Sequence, residues 1–466
     1  MRVRFEVRDR DVAGRIGRFD TGGPVVTTPE LMPVINPHEP TVDPKDIERI
    51  GFEAVITNAY IVWKDEDLRE RAVDEGIHSV VGFDGFVMTD SGSFQLAEYG
   101  DVEVDNRTIV EFQAEIGSDV GTILDIPTPP DAPREVAERD VKTTVERAKE
   151  AVECEERPPL ALTVQGSTYP DLREKCAAEL GELPAAVHPI GGVVPLLEDY
   201  RFADVVDVVM AAKKALPPEK PVHLFGCGHP LAIPLAVAMG CDLFDSASYA
   251  LYAKTGRYLS VLGTLRLEEM RWFPCRCPVC SRYDPQDLRE MPEEERVELL
   301  ALHNLNELRR VIDTVRCAIS GGELWELVEA TCRSHPAAWA GLVRLSSRYG
   351  DELARWSPSV KRSLKVYDEV SKGRPELHIY RDRMRGRFGG VEGRRIVKAG
   401  RRPYDVEWLE SWELAFVDEW LGLVPGELTR TFPCHSLVEP SGFERRRDDG
   451  EDRRSGGRRG DEGRRR

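Results

Sequence analysis

The sequence holds no apolar run approaching the ~20 residues of a membrane-spanning helix. That excludes an integral helical membrane protein. Its first residues, Met1-Arg2-Val3-Arg4-Phe5-Glu6-Val7, alternate charged and apolar side chains and lack the apolar centre of a secretory signal. They read as a strand, and a cytoplasmic protein is expected. Cysteine is sparse, with 10 in 466 residues, scattered apart from one cluster. In a reducing compartment these do not form a disulfide framework, so the cluster needs a metal or catalytic explanation. No glycine-rich phosphate cradle opens a helix, which weighs against nucleotide-binding readings. Positive charge is in deficit too. Lys and Arg number 64 against 82 Asp and Glu, a net charge of −18. The total argues against a polyanionic partner. Its distribution argues less, because the first half is acid-rich and Arg concentrates after residue 340. Such a balance also suits a hot or salty cytoplasm.

What is present is a globular composition, 41% hydrophobic and 31% charged. The length suits two or three domains, or one large α/β barrel with appendages. Between residues 50 and 250, short apolar runs alternate with amphipathic segments. Seven runs read as strands: 54–58, 85–90, 121–125, 160–165, 186–191, 222–226 and 243–245. Helices are expected from Pro133 to about Glu153 and from Glu198 to Ala215, the first with a Pro-led start and early acids. Repeated β-then-α units imply a parallel sheet. Continuously apolar strands about thirty residues apart fit a (β/α)8 barrel of the TIM type, with an open doubly wound sheet as the alternative. Asp90, Asp125, Gln165, Gly191-Gly192 and Asp245 all fall at strand C-terminal ends, the face on which barrel enzymes build their sites.

The expected architecture is a catalytic barrel over 1–345 with a zinc-binding insertion at 275–303, a small domain over 360–440, and a disordered charged tail over 443–466. Residues 305–345 read as helical through Leu305, Leu308, Val311, Ile312 and Val315, and the small domain rests on Trp408, Trp412 and Trp420. The tail is almost wholly Arg, Asp, Glu and Gly and cannot bury a core.

Cys275-Arg276-Cys277-Pro278-Val279-Cys280 is a Cys-x-Cys-x-x-Cys run, with His303 downstream on a helix-like segment. Three thiolates and one imidazole make a closed tetrahedral set, which suits a structural zinc, one per chain. His335 is a rival fourth ligand whose spacing does not recruit the loop cysteines. The run Val87-Met88-Thr89-Asp90-Ser91-Gly92-Ser93-Phe94 ends an apolar strand in a lone carboxylate followed by small residues. Such a turn delivers an acid to a pocket mouth, or merely caps the strand.

Thr89-Asp90-Ser91-Gly92-Ser93-Phe94-Gln95 resembles the signature of tRNA-guanine transglycosylases. So do Gly191-Gly192-Val193-Val194-Pro195, the run from His223 to Pro230 and the run from Cys241 to Ser246. The motifs fall in the family's order, cover about 10–340, and look like the archaeal branch. That branch inserts 7-cyano-7-deazaguanine (preQ0) at guanine-15 in the tRNA D-arm. The resemblance implies a barrel, a structural zinc, a homodimer, and tRNA, guanine and preQ0 as substrates. Base exchange with retention asks for a carboxylate nucleophile on ribose C1′ and a second group to move protons. The resemblance puts Asp90 and Asp245 there. Either could be the nucleophile; Asp245 is preferred, with Asp90 as general acid/base. For the base, the resemblance implies contacts from Ser91, Asp125, Gln165, the Gly191-Gly192-Val193-Val194 backbone, and a sandwich of Phe94 and Phe225. The Tyr249–Tyr258 segment, with Lys254 and Arg257, is a candidate phosphate-contacting loop.

The archaeal pattern ends in an RNA-binding PUA module, and none is legible here. A separate polypeptide carrying that module, or the Arg-rich tail, would then help reach the D-arm. Rival readings are a queuine-type exchange at an anticodon guanine, a non-catalytic tRNA-binding partner subunit, and glycoside hydrolysis on a similar barrel.

Overall fold

The computed structural model describes residues 3–93, 104–361, 363–388 and short pieces between 415 and 438. Phe94, Trp408, Trp412 and the tail 443–466 lie outside the described residues. The chain divides into two compact units, 1–358 and 359–466.

The first unit opens with an antiparallel sheet of β1 (Arg4–Asp11), β2 (Gly14–Asp20) and β3 (Val26–Thr28). Eight parallel strands follow: β4 (Glu30–Pro33), β5 (Ala54–Asn58), β6 (Phe86–Asp90), β7 (Val120–Thr122), β8 (Leu160–Ala161), β9 (His188–Ile190), β10 (Val222–Leu224) and β11 (Leu243–Ser246). They pair as β5-β6-β7-β8 and β4-β11-β10-β9. Parallel bridges Val34–Ile56 and Ala161–Val187 join the two runs at both edges and close the ring. The fold is the expected (β/α)8 barrel.

Strand alternation decides what fills the ring. Met32, Ala54, Ile56, Phe86, Met88, Val120, Ala161, Val187 and Leu243 form one buried apolar cluster. Two residues beyond Ile56, Met88 and Leu243, the same inward phase brings Asn58, Asp90 and Asp245 to the C-terminal mouth, with Asn58 opposite Asp90 across β5 and β6. The other end is plugged. Phe19 and Val26 of the first sheet belong to the barrel cluster, and Phe19 lies 5.8 Å from Phe86 at the start of β6. Burying Phe19 alone contributes about 2–3 kcal/mol.

Acids at this plugged end are paired. Asp242 takes Nε of Arg15 at 2.9 Å as well as its Nη2. Fully buried Glu30 meets Arg309 at 3.0 Å and Arg316 at 3.1 Å. Burial raises the Glu30 carboxyl above its ordinary value, and the two guanidinium groups oppose that rise.

Two segments differ from the sequence reading. Strand β4 was not among the seven runs, because Glu30 and Pro33 interrupt any apolar β-branched pattern; Glu30 tolerates burial only through its two arginines. The helix expected over 198–215 is two helices, Val194–Glu198 and Phe202–Ala215, broken where Tyr200 adopts a left-handed φ of 56°. Helix Glu293–Gly321 ends at Gly322 in left-handed geometry and buries Leu305, Leu308, Val311, Ile312 and Val315, as the apolar spacing predicts. No described helix is long and apolar enough to cross a membrane.

The second unit has its own small core of Leu364, Val366, Leu377, Tyr380, Trp420, Leu421 and Val424.

Candidate active site

Asp90 ends β6. Its Oδ2 accepts a bond from Asn58 Nδ2 at 3.3 Å, and its Oδ1 accepts one from the Gly92 N–H at 3.4 Å. Gly92 has φ 93°, and a Cβ there would fall 2.6 Å from Cβ of Tyr60. The turn beside Asp90 therefore demands glycine. Ser91 is fully buried; its N–H donates to Thr122 Oγ1 at 2.7 Å and its hydroxyl to the Ile123 carbonyl at 2.7 Å. These bonds staple the turn to β7. Burial pushes the Asp90 carboxyl up to about 7, and the charges of Asp125 and Asp245 add to the rise. Near neutral pH Asp90 both holds and releases a proton.

Asp245 lies on β11 under different conditions. Its Oδ1 sits 2.8 Å from His223 Nε2 and accepts the Gly226 N–H at 2.8 Å. Gly226 has φ 67°, and a Cβ would come 2.3 Å from Val194 Cγ2, so this turn also packs on the Gly191–Val194 loop.

Beside the two acids lies a polar pocket. Asp125 is buried and accepts Gln165 Nε2 at 2.5 Å. Burial raises its carboxyl above the ordinary value, while hydrogen bonds from Gln165 and Ser93 pull it down. Gly191 and Gly192 lie against Gln165: Cβ atoms there would fall 2.4 Å and 2.9 Å from its amide. Val193 is buried, Val194 half-buried. Phe225 is half-buried and presents its ring at 4.5 Å to His223. The structure thus gathers Asp90, Ser91, Asp125, Gln165, Gly191, Gly192, Val193, Val194, Phe225 and Asp245 at one barrel mouth.

Three residues at this mouth were given no site role in the sequence reading, although His223 opens one of the motifs of the resemblance. Asn58 and His223 hold the two acids. Arg173, fully buried, donates from Nη1 to the Val164 and Gly191 carbonyls at 2.9 Å and 2.7 Å and so fixes the loop that begins at Gly191. Burial pushes its guanidinium down to about 10. Asn58 and His223 did carry a signal, since each ends or lies in an apolar run. Arg173 carried none, because a lone arginine on a charged helix looks solvated.

Cys275, Cys277, Cys280 and His303 bring their donor atoms within 4.8 Å of one another. His303 Nδ1 lies 3.6 Å and 3.4 Å from the sulfurs of Cys277 and Cys280. A tetrahedral zinc with ordinary Zn–S and Zn–N bonds places S and N about 3.5 Å apart. His303 Nε2 donates to the Leu259 carbonyl at 2.9 Å, which leaves Nδ1 free for a metal. Tyr258 stacks on the imidazole at 3.6 Å. The set can hold a metal ion and joins the 275–280 loop to helix Glu293–Gly321.

Residues 10–337 match the family described as queuine tRNA-ribosyltransferase (TGT). A tRNA-guanine(15) transglycosylase of Methanopyrus kandleri is 68% identical over 468 residues, spanning all of both chains. One from Pyrococcus furiosus is 57% identical over 372 residues, 79% of this chain and 63% of its own length. One from Methanothermobacter thermautotrophicus is 47% identical over 451 residues, 94% of this chain and 68% of that protein.

Proposed function

Because this chain belongs to the queuine tRNA-ribosyltransferase family, we propose that it exchanges guanine-15 in the D-arm of tRNA for 7-cyano-7-deazaguanine, an early step of archaeosine biosynthesis. The observation that carries this reading is the pair of strand-end acids, Asp90 and Asp245, in contrasting surroundings beside the hydrogen-bonded Asp125 and Gln165. The names of the relatives favour position 15 over the anticodon alternative.

In the proposed mechanism Asp245 attacks ribose C1′, and the C1′–N9 bond breaks with its electrons leaving to guanine. Asp90, poised near neutrality, gives the departing base a proton and later takes one from the incoming base. Attack by the new base at C1′ releases Asp245, and two inversions retain configuration. Asp125 accepts from the ring N–H and exocyclic amine, while Gln165 donates to the six-position oxygen. Glycine-191 and glycine-192 let the backbone approach, Ser91 and Val193 hold the walls, and Val194, Phe225 and Phe94 close on the base. Zinc is the metal that the Cys3His set suits, in a structural role, since four protein ligands leave no open position.

Leu251, Leu262, Leu265 and Trp272 are exposed large apolar side chains, and covering such surface supports a homodimer. A cytoplasmic tRNA enzyme agrees with the absence of a disulfide among the described cysteines. A separate PUA-bearing polypeptide would help present the D-arm. The test is incorporation of labelled guanine into tRNA with and without guanine-15. Incorporation that needs guanine-15 supports the reading; incorporation that needs an anticodon guanine instead overturns it.

A further inference from the structure

His223 is a buried imidazole inside a barrel whose neighbouring layer is apolar. The register places it opposite Leu243, a member of the interior cluster, so it shares the inward face with Asp245 two residues on. It has no solvent exposure. Burying such a ring unpaired costs stability, so its partner decides its purpose. That partner is Asp245 Oδ1, at 2.8 Å from Nε2.

A carboxylate oxygen that already accepts the Gly226 N–H can only accept again. The proton must therefore sit on Nε2. Nδ1 has no partner among the described residues. A doubly protonated ring would strand an N–H in the interior, so the neutral Nε2–H tautomer is the one that fits. Both donors converge on Oδ1. Among the described residues none engages Oδ2, which leaves that oxygen free to attack.

We propose that His223 is a positioning residue for Asp245: its Nε2–H and the Gly226 N–H fix Oδ1 and so aim Oδ2 at the ribose C1′. This rests on the exchange reading above. In the step, the Oδ2–C1′ bond forms while the C1′–N9 bond breaks and its electron pair leaves with the base. His223 keeps its proton throughout. Oδ1 becomes the ester carbonyl oxygen and still accepts both bonds, so the geometry survives for the return step. The ring also meets Phe225 edge-on at 4.5 Å, and one side chain thereby braces both the nucleophile and a wall of the base pocket.

The test compares wild type with His223→Phe, which keeps a ring but no donor, and His223→Gln, which returns an N–H near the Nε2 position. Single-turnover formation of the covalent tRNA adduct is measured alongside KM for the base. His223→Phe is expected to slow adduct formation roughly 10- to 100-fold, since a misaligned nucleophile costs on that order, with KM little changed. His223→Gln is expected to recover most of the loss. Adduct formation at the wild-type rate in His223→Phe, or no recovery in His223→Gln, overturns the proposal. Nitrogen-15 NMR of histidine-labelled protein provides an arm independent of activity. A proton on Nε2 that responds to Asp245→Asn supports the assignment; a proton on Nδ1 overturns it. If wild-type protein forms no adduct, the exchange reading fails, and the NMR arm still decides where the proton lies.

Discussion

Asp242 and Asp245 are three residues apart at opposite ends of one barrel strand, and they live under opposite rules. Asp242, at the plugged end, is fully buried and paired with the Arg15 guanidinium. Asp245, at the open end, meets an imidazole and a backbone N–H. The contrast extends to their neighbours. Glu30 at the plugged end has two arginines, whereas Asp90 at the mouth faces two further carboxylates. A charge that only holds the fold together is given its counter-ion. A charge proposed to react is left with hydrogen bonds, and its excess energy is held by the rest of the barrel.

The sharpest way to break this comparison is to neutralise each acid. Asp245→Asn is expected to lower base exchange by at least about 10³-fold and to abolish the covalent adduct on denaturing gels, with melting temperature nearly unchanged. Asp90→Asn should lower exchange about 10²- to 10⁴-fold, the usual range for a proton-transfer group. At the other end the effects invert. Arg15→Met strands Asp242 in the interior and should cost about 3–5 kcal/mol in denaturant unfolding, with kcat of the folded fraction little altered. A large fall in kcat there would sink the division between the two ends.

The structural role proposed for the cysteine set would place it with the stabilising charges. Cys280→Ser should reduce bound metal measured by atomic emission and lower the melting temperature by about 10 °C, while adduct formation per folded molecule persists. A last test concerns Asp90 and pH. Its folded-state value of about 7 lies above its ordinary 3.8. The stability it contributes is therefore complete below the ordinary value and is lost as pH rises through about 7. Asp90→Asn should escape that loss, so its melting temperature should gain on wild type between pH values near 4 and 7 and hold the gain above. The residual exchange of this variant should also lack the fall in rate expected of wild type above about 7.

Much of this site was legible because a barrel delivers its chemistry at strand ends. Asp90, Asp125, Gln165 and Asp245 each terminate an apolar run, and the loops after them carry the glycines that close contact demands. The Cys-x-Cys-x-x-Cys spacing announced its cluster, and the structure brings His303 rather than His335 to it. Partners across the ring were hidden. Asn58 meets Asp90 only through the β5–β6 register, and His223 meets Asp245 only because Leu243 sets the phase of β10 against β11. Strand β4 was hidden for a related reason. Its glutamate looks like surface until residues 309 and 316 arrive to neutralise it.

That last arrangement bears on how the chain assembles as it leaves the ribosome. Strand β4 is made early, yet its ring partner is β11, where Leu31 pairs with Phe244, and its buried charge waits for Arg309, 279 positions later. At ordinary synthesis rates the wait is on the order of ten seconds to a minute. Within that wait, from the synthesis of β8 until β9 to β11 follow, the strands made so far are an open half-barrel with bare edges, a state prone to clinging to other nascent chains. Translation speed and chaperone supply should therefore govern the yield of this protein more than its final stability does.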